Sequence, residues 1–202
     1  AALLRRFGQA GSPERAWAST RARYLHLLDE RQHVPGRMVD KSLNISRFAA
    51  LIRLALPESR ILWLRRDPAD VAWSCFRTHF QSGLGWTFSL TDMGRHFAAE
   101  DLLFDRWRDL LGDRLLPVPY ADLVDDPSAW ANRIADHVGL TFEADMLAFH
   151  RTRRTVATAS VEQVRRPIYR DSIGASAAYA AQMQPFFDSY ADARQSLGLS
   201  AP

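Results

Sequence analysis

The sequence predicts an α/β fold in which a parallel sheet is flanked by helices, and three observations predict it. Two short apolar runs, Ile61 to Leu64 and Arg114 to Tyr120, have strand length. Each precedes a helical pattern opened by an Asp-Pro pair, Asp67-Pro68 and Asp126-Pro127, which reads as N-cap plus first helical residue. The resulting strand–helix–strand–helix order implies parallel pairing with helical cover.

Composition sets the frame for these elements. A chain of 202 residues is large enough for one well-buried domain and too short for two comfortable ones, so a single domain over 1–202 is expected. With 47% hydrophobic and 24% charged residues it is an ordinary globular composition. The net charge of +3 and a pI near 9.4 come from a basic set rich in arginine with almost no lysine. Such a balance suits a small anionic ligand as well as nucleic acid and does not choose between them. Cys75 is the only cysteine, which excludes an internal disulfide and fits a reducing, cytoplasmic setting. No apolar run approaches the ~20 residues needed to cross a bilayer. No signal-peptide pattern opens the chain. The first residue is Ala inside a helical pattern, so a truncated or processed start is expected.

Taken in order, Ala1 to about Glu30 carries Leu3, Leu4, Phe7, then Trp17, Tyr24, Leu25, Leu27 and Leu28, which suggest two helices broken at Gly11-Ser12-Pro13. Met38-Val39 suits a very short strand leading into Asp40-Lys41. Ile45, Phe48, Ala49, Ile52 and Leu56 recur at helical spacing until Pro57 stops them. Ile61 to Leu64 reads as a strand buried on both faces, with Trp63 inside. A helix from Pro68 to about Phe80 follows, carrying Trp73 on its buried side. The stretch from Ser82 to Thr91, with two glycines and Trp86, is an irregular excursion. Met93 to Leu111 is an amphipathic helix. Pro117 and Pro119 place the second strand at an edge or shorten it. The helix opened by Asp126-Pro127-Ser128 closes at Gly139. After Met146 the chain is basic and irregular through about Arg170, then helical to Leu197.

Arg66 therefore sits where a strand ends and a helix begins, the position where α/β sheets bind phosphorylated ligands. Ser74 lies seven residues past Asp67, about two helical turns, and projects from nearly the same side as the cap. A cation and a hydroxyl on one surface make a phosphate clamp. The same residues also suit a plain helix start with Arg66 in a surface ion pair and Ser74 solvated.

The Arg66-Asp67-Pro68 turn followed by helical Ser74 resembles the sulfotransferase family, in which Arg-Asp-Pro and a helical serine hold the 3′-phosphate of 3′-phosphoadenosine 5′-phosphosulfate (PAPS). The spacing from Arg66 to Ser74 is the family's. Asp40-Lys41-Ser42-Leu43-Asn44 resembles the family's Asp-Lys-x-Pro-x-Asn turn, with Leu43 where proline is usual. Val118-Pro119-Tyr120-Ala121-Asp122-Leu123 is similar to its Tyr-Glu-Asp-Leu segment. Phe149-His150, Thr158 to Val164, and Arg166-Pro167-Ile168-Tyr169 look like the C-terminal segment of bacterial sulfotransferases related to the protein-tyrosine sulfotransferases. The likeness covers roughly residues 36 to 180 and rests on the order and spacing of its pieces.

The resemblance implies a P-loop-like parallel sheet and transfer of a sulfuryl group from PAPS to a hydroxyl acceptor, such as a protein tyrosine, a carbohydrate or a small alcohol. It implies that Lys41 stabilises the transition state and that Ser160 donates a hydrogen bond in the same region. Arg66 and Ser74 would hold the 3′-phosphate, Tyr120 would lie beside the adenine, and Arg166 would belong to a positive rim that steers the donor. Two features depart from the family pattern. The Pro-Arg-Ser-Gly-Thr loop that wraps the 5′-phosphosulfate has no counterpart, since Gly8 to Pro13 lacks that run, nor has the usual catalytic glutamate. The chain is therefore expected to be the larger C-terminal part of a sulfotransferase, without the first strand and loop. Ala175-Ser176 also stands where a basic residue and Trp are usual.

Other chemistries are less well supported. The six histidines contain no i,i+4 pair and no cysteine cluster, so no metal site is expected. Cys75 reads as a buried structural thiol. A nucleotide-kinase-like phosphotransferase would use the same strand-to-helix geometry but calls for a Walker A loop. A non-catalytic basic module for polyanions calls for one continuous positive face interleaved with exposed aromatics. Neither nucleic acid nor a membrane is expected as a partner.

Overall fold

The structure is a computed structural model and describes residues 12–32, 36–42, 45–78, 80, 83–151 and 166–200. The chain divides into two compact units, Ala1–Ser59 with Asp109–Leu111, and Arg60–Arg108 with Gly112–Pro202.

The first unit contains helix α1, Pro13–Gln32, which begins with proline in its first turn and the Ser12 hydroxyl facing the Arg15 amide. The first of the two expected N-terminal helices falls outside the described residues. A 3-10 turn over Ile45–Phe48 leads into α2, Ala49–Ala55, which ends before Pro57 as the sequence predicts. Ala16, Ala49, Ala55 and Leu111 are the buried apolar residues of this unit among those described. Met38-Val39 is not a strand: the segment has no ladder partner among the described residues, and Val39 is 85% exposed. Two apolar residues in a row give no period and no neighbour to pair with.

In the second unit β1, Ile61–Arg65, pairs in parallel with β2, Leu115–Pro119, in the register Ile61 opposite Leu115 through Arg65 opposite Pro119. Parallel pairing follows the sequence order. The expected burial of β1 on both faces does not: Trp63 packs on Phe104, while Leu62 and Leu64 on the other face are 42% and 58% exposed. A continuous apolar run shows that both faces tolerate burial, not that both are covered. Leu115, Leu116 and Val118 make β2 the better-buried strand despite its two prolines.

Helix α3 spans Pro68–Arg77, capped by Asp67 Oδ1 accepting from the Asp70 amide at 2.8 Å. Helix α4, Leu90–Leu111, starts at Ser89, whose hydroxyl accepts from the Asp92 amide. A short helix that the sequence reading lacks, α5, spans Tyr120–Asp125 directly after β2. Helix α6, Pro127–Val138, has Asp126 as cap and closes at Gly139 in the left-handed region, as expected. The C-terminal helix is shorter than predicted. Residues 171–176 form turns, Ala177–Tyr179 a 3-10 turn, and helix α7 runs only over Gln184–Ser196, with Pro185 in its first turn. Pro185 could not have sat in the interior of one long helix.

The main core lies where α3, α4 and α7 meet: Ala69 and Ala72, Met93 and Ala98, Met183, Phe186 and Tyr190. Gly94 lets α7 come close, since a β-carbon there would stand 2.7 Å from the Tyr190 amide nitrogen and 2.8 Å from the Phe186 carbonyl. Trp63 and Trp73, expected inside, are half-buried; Trp73 stacks on Tyr179 with ring centres 4.0 Å apart.

Candidate functional site

Because β1 and β2 are parallel, their C-terminal ends lie side by side, and the residues that follow them emerge together. Arg66 follows β1 and Tyr120 follows β2. The guanidinium carbon of Arg66 stands 5.3 Å from the centre of the Tyr120 ring, a cation–π arrangement that keeps the charge oriented without consuming its donors. One donor, Nη2, reaches the carbonyl oxygen of Ser172 at 2.5 Å. The Ser172 hydroxyl lies 3.2 Å from the Tyr120 hydroxyl, so the three residues form one cluster. Arg66 Nε is buried and has no hydrogen-bond partner among the described residues. A buried N–H without an acceptor is costly and calls for one.

Beneath this cluster lies Asp70, 2% exposed, at the third position of α3. Its carboxylate accepts from the amides of Gly174 at 2.8 Å and Ser176 at 2.9 Å. Desolvation alone would raise its pKa. The two amides, the Ser176 hydroxyl and the charge of Arg66 together outweigh that and hold it below the ordinary value. Cys75, on the same helix, is pushed up by burial against the opposite pull of Arg66. Cys75 is half-buried, not fully buried as the sequence predicts, because it lies on the part of α3 that the core covers only in part.

Ser74 is half-buried on α3, four residues beyond Asp70 and hence on the same helical face. Its carbonyl accepts from the Thr78 hydroxyl. Arg166 is exposed and its guanidinium lies 4.9 Å from the Tyr169 ring, so its described contact is with that tyrosine. Lys41, in the other unit, is exposed at the centre of an Asx turn: Asp40 Oδ1 accepts from the Ser42 amide at 2.9 Å and the Ser42 hydroxyl at 2.6 Å. Asp40 Oδ2 also accepts from the Tyr24 hydroxyl at 2.5 Å. Burial and this carboxylate raise the Tyr24 pKa to about 12. Ser160 lies outside the described residues.

The structure thus joins Arg66 to Tyr120. It adds Asp70, Ser172 and Ser176, which the sequence reading missed. An acid at the third position of a helix is common, and a serine 106 residues away gives no local signal. A separate apolar groove of about 280 Å³, lined by Leu123, Ile134, Val138, Met146 and Phe149, does not include Arg66 or Tyr120. Among the described residues no group of three or more His, Cys, Asp or Glu is placed to hold a metal. No described helix is long and apolar enough to cross a membrane.

A family model described as the sulfotransferase family matches residues 2–144. The chain is also 26% identical over 178 residues to an uncharacterized protein of Aquifex aeolicus (strain VF5). That match covers 87% of this chain but spans only 23% of the relative's length. A strand-to-helix arginine set beside the tyrosine that follows the neighbouring strand, within a parallel α/β unit, fits that match, and the chain belongs to the sulfotransferase family.

Proposed function

We propose that this chain is the donor-binding part of an enzyme that moves a sulfuryl group from PAPS to a hydroxyl acceptor, with a protein tyrosine as one candidate. The observation that carries the reading is Arg66: a guanidinium at a strand-to-helix turn, oriented by Tyr120, with a buried Nε that lacks an acceptor. A phosphate oxygen is the acceptor that such a donor fits best, because charge-assisted hydrogen bonds to guanidinium are directional and strong. Ser74 would supply a second donor from the face of α3 that carries Asp70, and Tyr120 a flat surface for the adenine. Arg166, exposed beside Tyr169, would add positive charge to the approach.

Sulfuryl transfer needs acceptor, sulfur and leaving oxygen held in line and negative charge stabilised as it spreads onto the oxygens. Lys41, with a compact ammonium presented by a fixed turn, would neutralise charge on the leaving oxygen. Ser160 would donate a hydrogen bond in the same region. No residue of the chain is assigned as the base that accepts the acceptor's proton.

The test is a thermal-shift and calorimetric comparison of 3′,5′-adenosine bisphosphate, ATP and a short DNA. The 3′-phosphorylated nucleotide should bind most tightly, and Arg66→Ala should weaken it at least about tenfold, since hydrogen bonds to charged groups contribute roughly 1.5–3 kcal/mol each. Equal affinity of wild type and Arg66→Ala would remove Arg66 from the site. Preference for ATP would favour a kinase-like phosphotransferase, and preference for DNA a polyanion-binding module.

A further inference from the structure

The acid at the third position of α3 is not a helix-start acid of the usual kind. Such residues reach back to the capping amide or lie in solvent, where they complement the helix dipole. Asp70 is 2% exposed, and its two carboxylate oxygens are spent on the amides of Gly174 and Ser176, 104 and 106 residues further along the chain. A buried carboxylate is tolerated only when its lone pairs are satisfied and a countercharge is near. Here the amides satisfy it and Arg66 is the neighbouring charge. The turn so pinned is the one whose Ser172 carbonyl accepts from Arg66 Nη2 and whose Ser172 hydroxyl meets Tyr120. Gly174 supplies the left-handed φ of +73° that lets the turn reverse between the two pinned amides.

We propose that Asp70 is a positioning residue for the anion site: by clamping Gly174 and Ser176 it fixes the 171–176 turn, and through Ser172 the guanidinium of Arg66, in the geometry that receives a phosphate. This rests on the reading of Arg66 as the phosphate anchor. Asp70 does not touch the anion, because its oxygens are occupied and a bare carboxylate beside a phosphate would repel it. Its contribution is preorganisation, which removes from binding the entropy of ordering the turn.

Four proteins test this: wild type, Arg66→Ala, Asp70→Asn and Ser176→Ala, each titrated calorimetrically with 3′,5′-adenosine bisphosphate. Amide hydrogen exchange is followed with and without that nucleotide. Asn keeps the size of Asp but offers one acceptor oxygen for two amides, so Asp70→Asn should weaken binding about tenfold. The Gly174 and Ser176 amides should lose protection while those of α6, remote from the turn in sequence, keep theirs. In the wild type the nucleotide should slow exchange at both amides; in Asp70→Asn it should not. Ser176→Ala, which removes only the hydroxyl contact, should weaken binding about two- to threefold. Wild-type affinity in Asp70→Asn alongside a defective Arg66→Ala overturns the role of Asp70 and leaves the phosphate anchor standing. Wild-type affinity in Arg66→Ala overturns both. Should Asp70→Asn fail to fold, Ser176→Ala decides: unchanged affinity and unchanged exchange at the turn sink the proposal.

Discussion

Arg65 and Arg66 are neighbours in sequence, yet their guanidinium groups sit in unlike surroundings. Arg65 pairs with Asp101 at 3.0 Å and lies over Phe104, 4.4 Å from its ring centre. Asp101, 7% exposed, also accepts from Arg194 and from the Tyr190 hydroxyl, so Arg65 is committed to joining β1, α4 and α7. Arg66 keeps a buried donor without an acceptor, and that difference is why Arg66 rather than Arg65 is the arginine proposed to hold a phosphate. The Asp101 network also has a pH signature. Burial and then the bond to Asp101 raise the Tyr190 pKa from 10.0 to about 12. A group whose pKa is raised by folding contributes stability that is complete below the unfolded pKa and is lost as pH rises through the folded one. Denaturant midpoints should therefore fall between about pH 10 and 12. In Tyr190→Phe that alkaline limb should shrink to the part contributed by Tyr24, whose pKa is raised likewise, and the midpoint at neutral pH should drop by the equivalent of about 1 kcal/mol. An alkaline limb unchanged in Tyr190→Phe would show that other groups cause it.

At the scale of elements, legibility followed local chemistry. Helix α6 could be read end to end because Asp126, Pro127 and Gly139 each carry a local reason for their positions. Helix α5 was missed because Tyr120–Asp125 offers no capping side chain and only six residues, too few for a period. The sequence pattern places residues 171–176 in a helix, because what folds them back, the Asp70 carboxylate, lies a hundred residues away in sequence. The approach of α7 to α4 is equally non-local, and Gly94 reports it. In Gly94→Ala the added methyl meets the Tyr190 and Phe186 backbone at under 3.0 Å, which cannot yield as a side-chain tip could. The gain in helix propensity, about 1 kcal/mol, is outweighed by overpacking and helix displacement, so a net loss of about 2 kcal/mol is expected in thermal or urea unfolding. Unchanged or raised stability would mean that the two helices pack less tightly than described.

At the scale of the molecule, the second unit places its deepest apolar side chains in one cluster and leaves one face of β1 open. Phe186 is 1% exposed among Met93, Met183 and Tyr190, whereas Leu64 is 58% exposed. Phe186→Ala should cost roughly 3–5 kcal/mol, and Leu64→Thr less than about 1 kcal/mol, measured by equilibrium unfolding. A large loss in Leu64→Thr would show that this strand face is covered after all.

The sequence by itself determined β1 and β2, the capped helices and the arginine at the strand-to-helix turn, because each depends on neighbours within a few residues, and the order of these elements implied the parallel pairing. Ser74 is nameable as a candidate from spacing and resemblance, and Lys41 and Tyr120 from resemblance alone. Only the tertiary structure decided that Arg66 meets Tyr120 and Ser172, that Asp70 is buried and clamps a distant turn, and that β1 is covered on one face. Those facts depend on which surfaces the folded chain brings within a few ångströms, and no local period or cap encodes that.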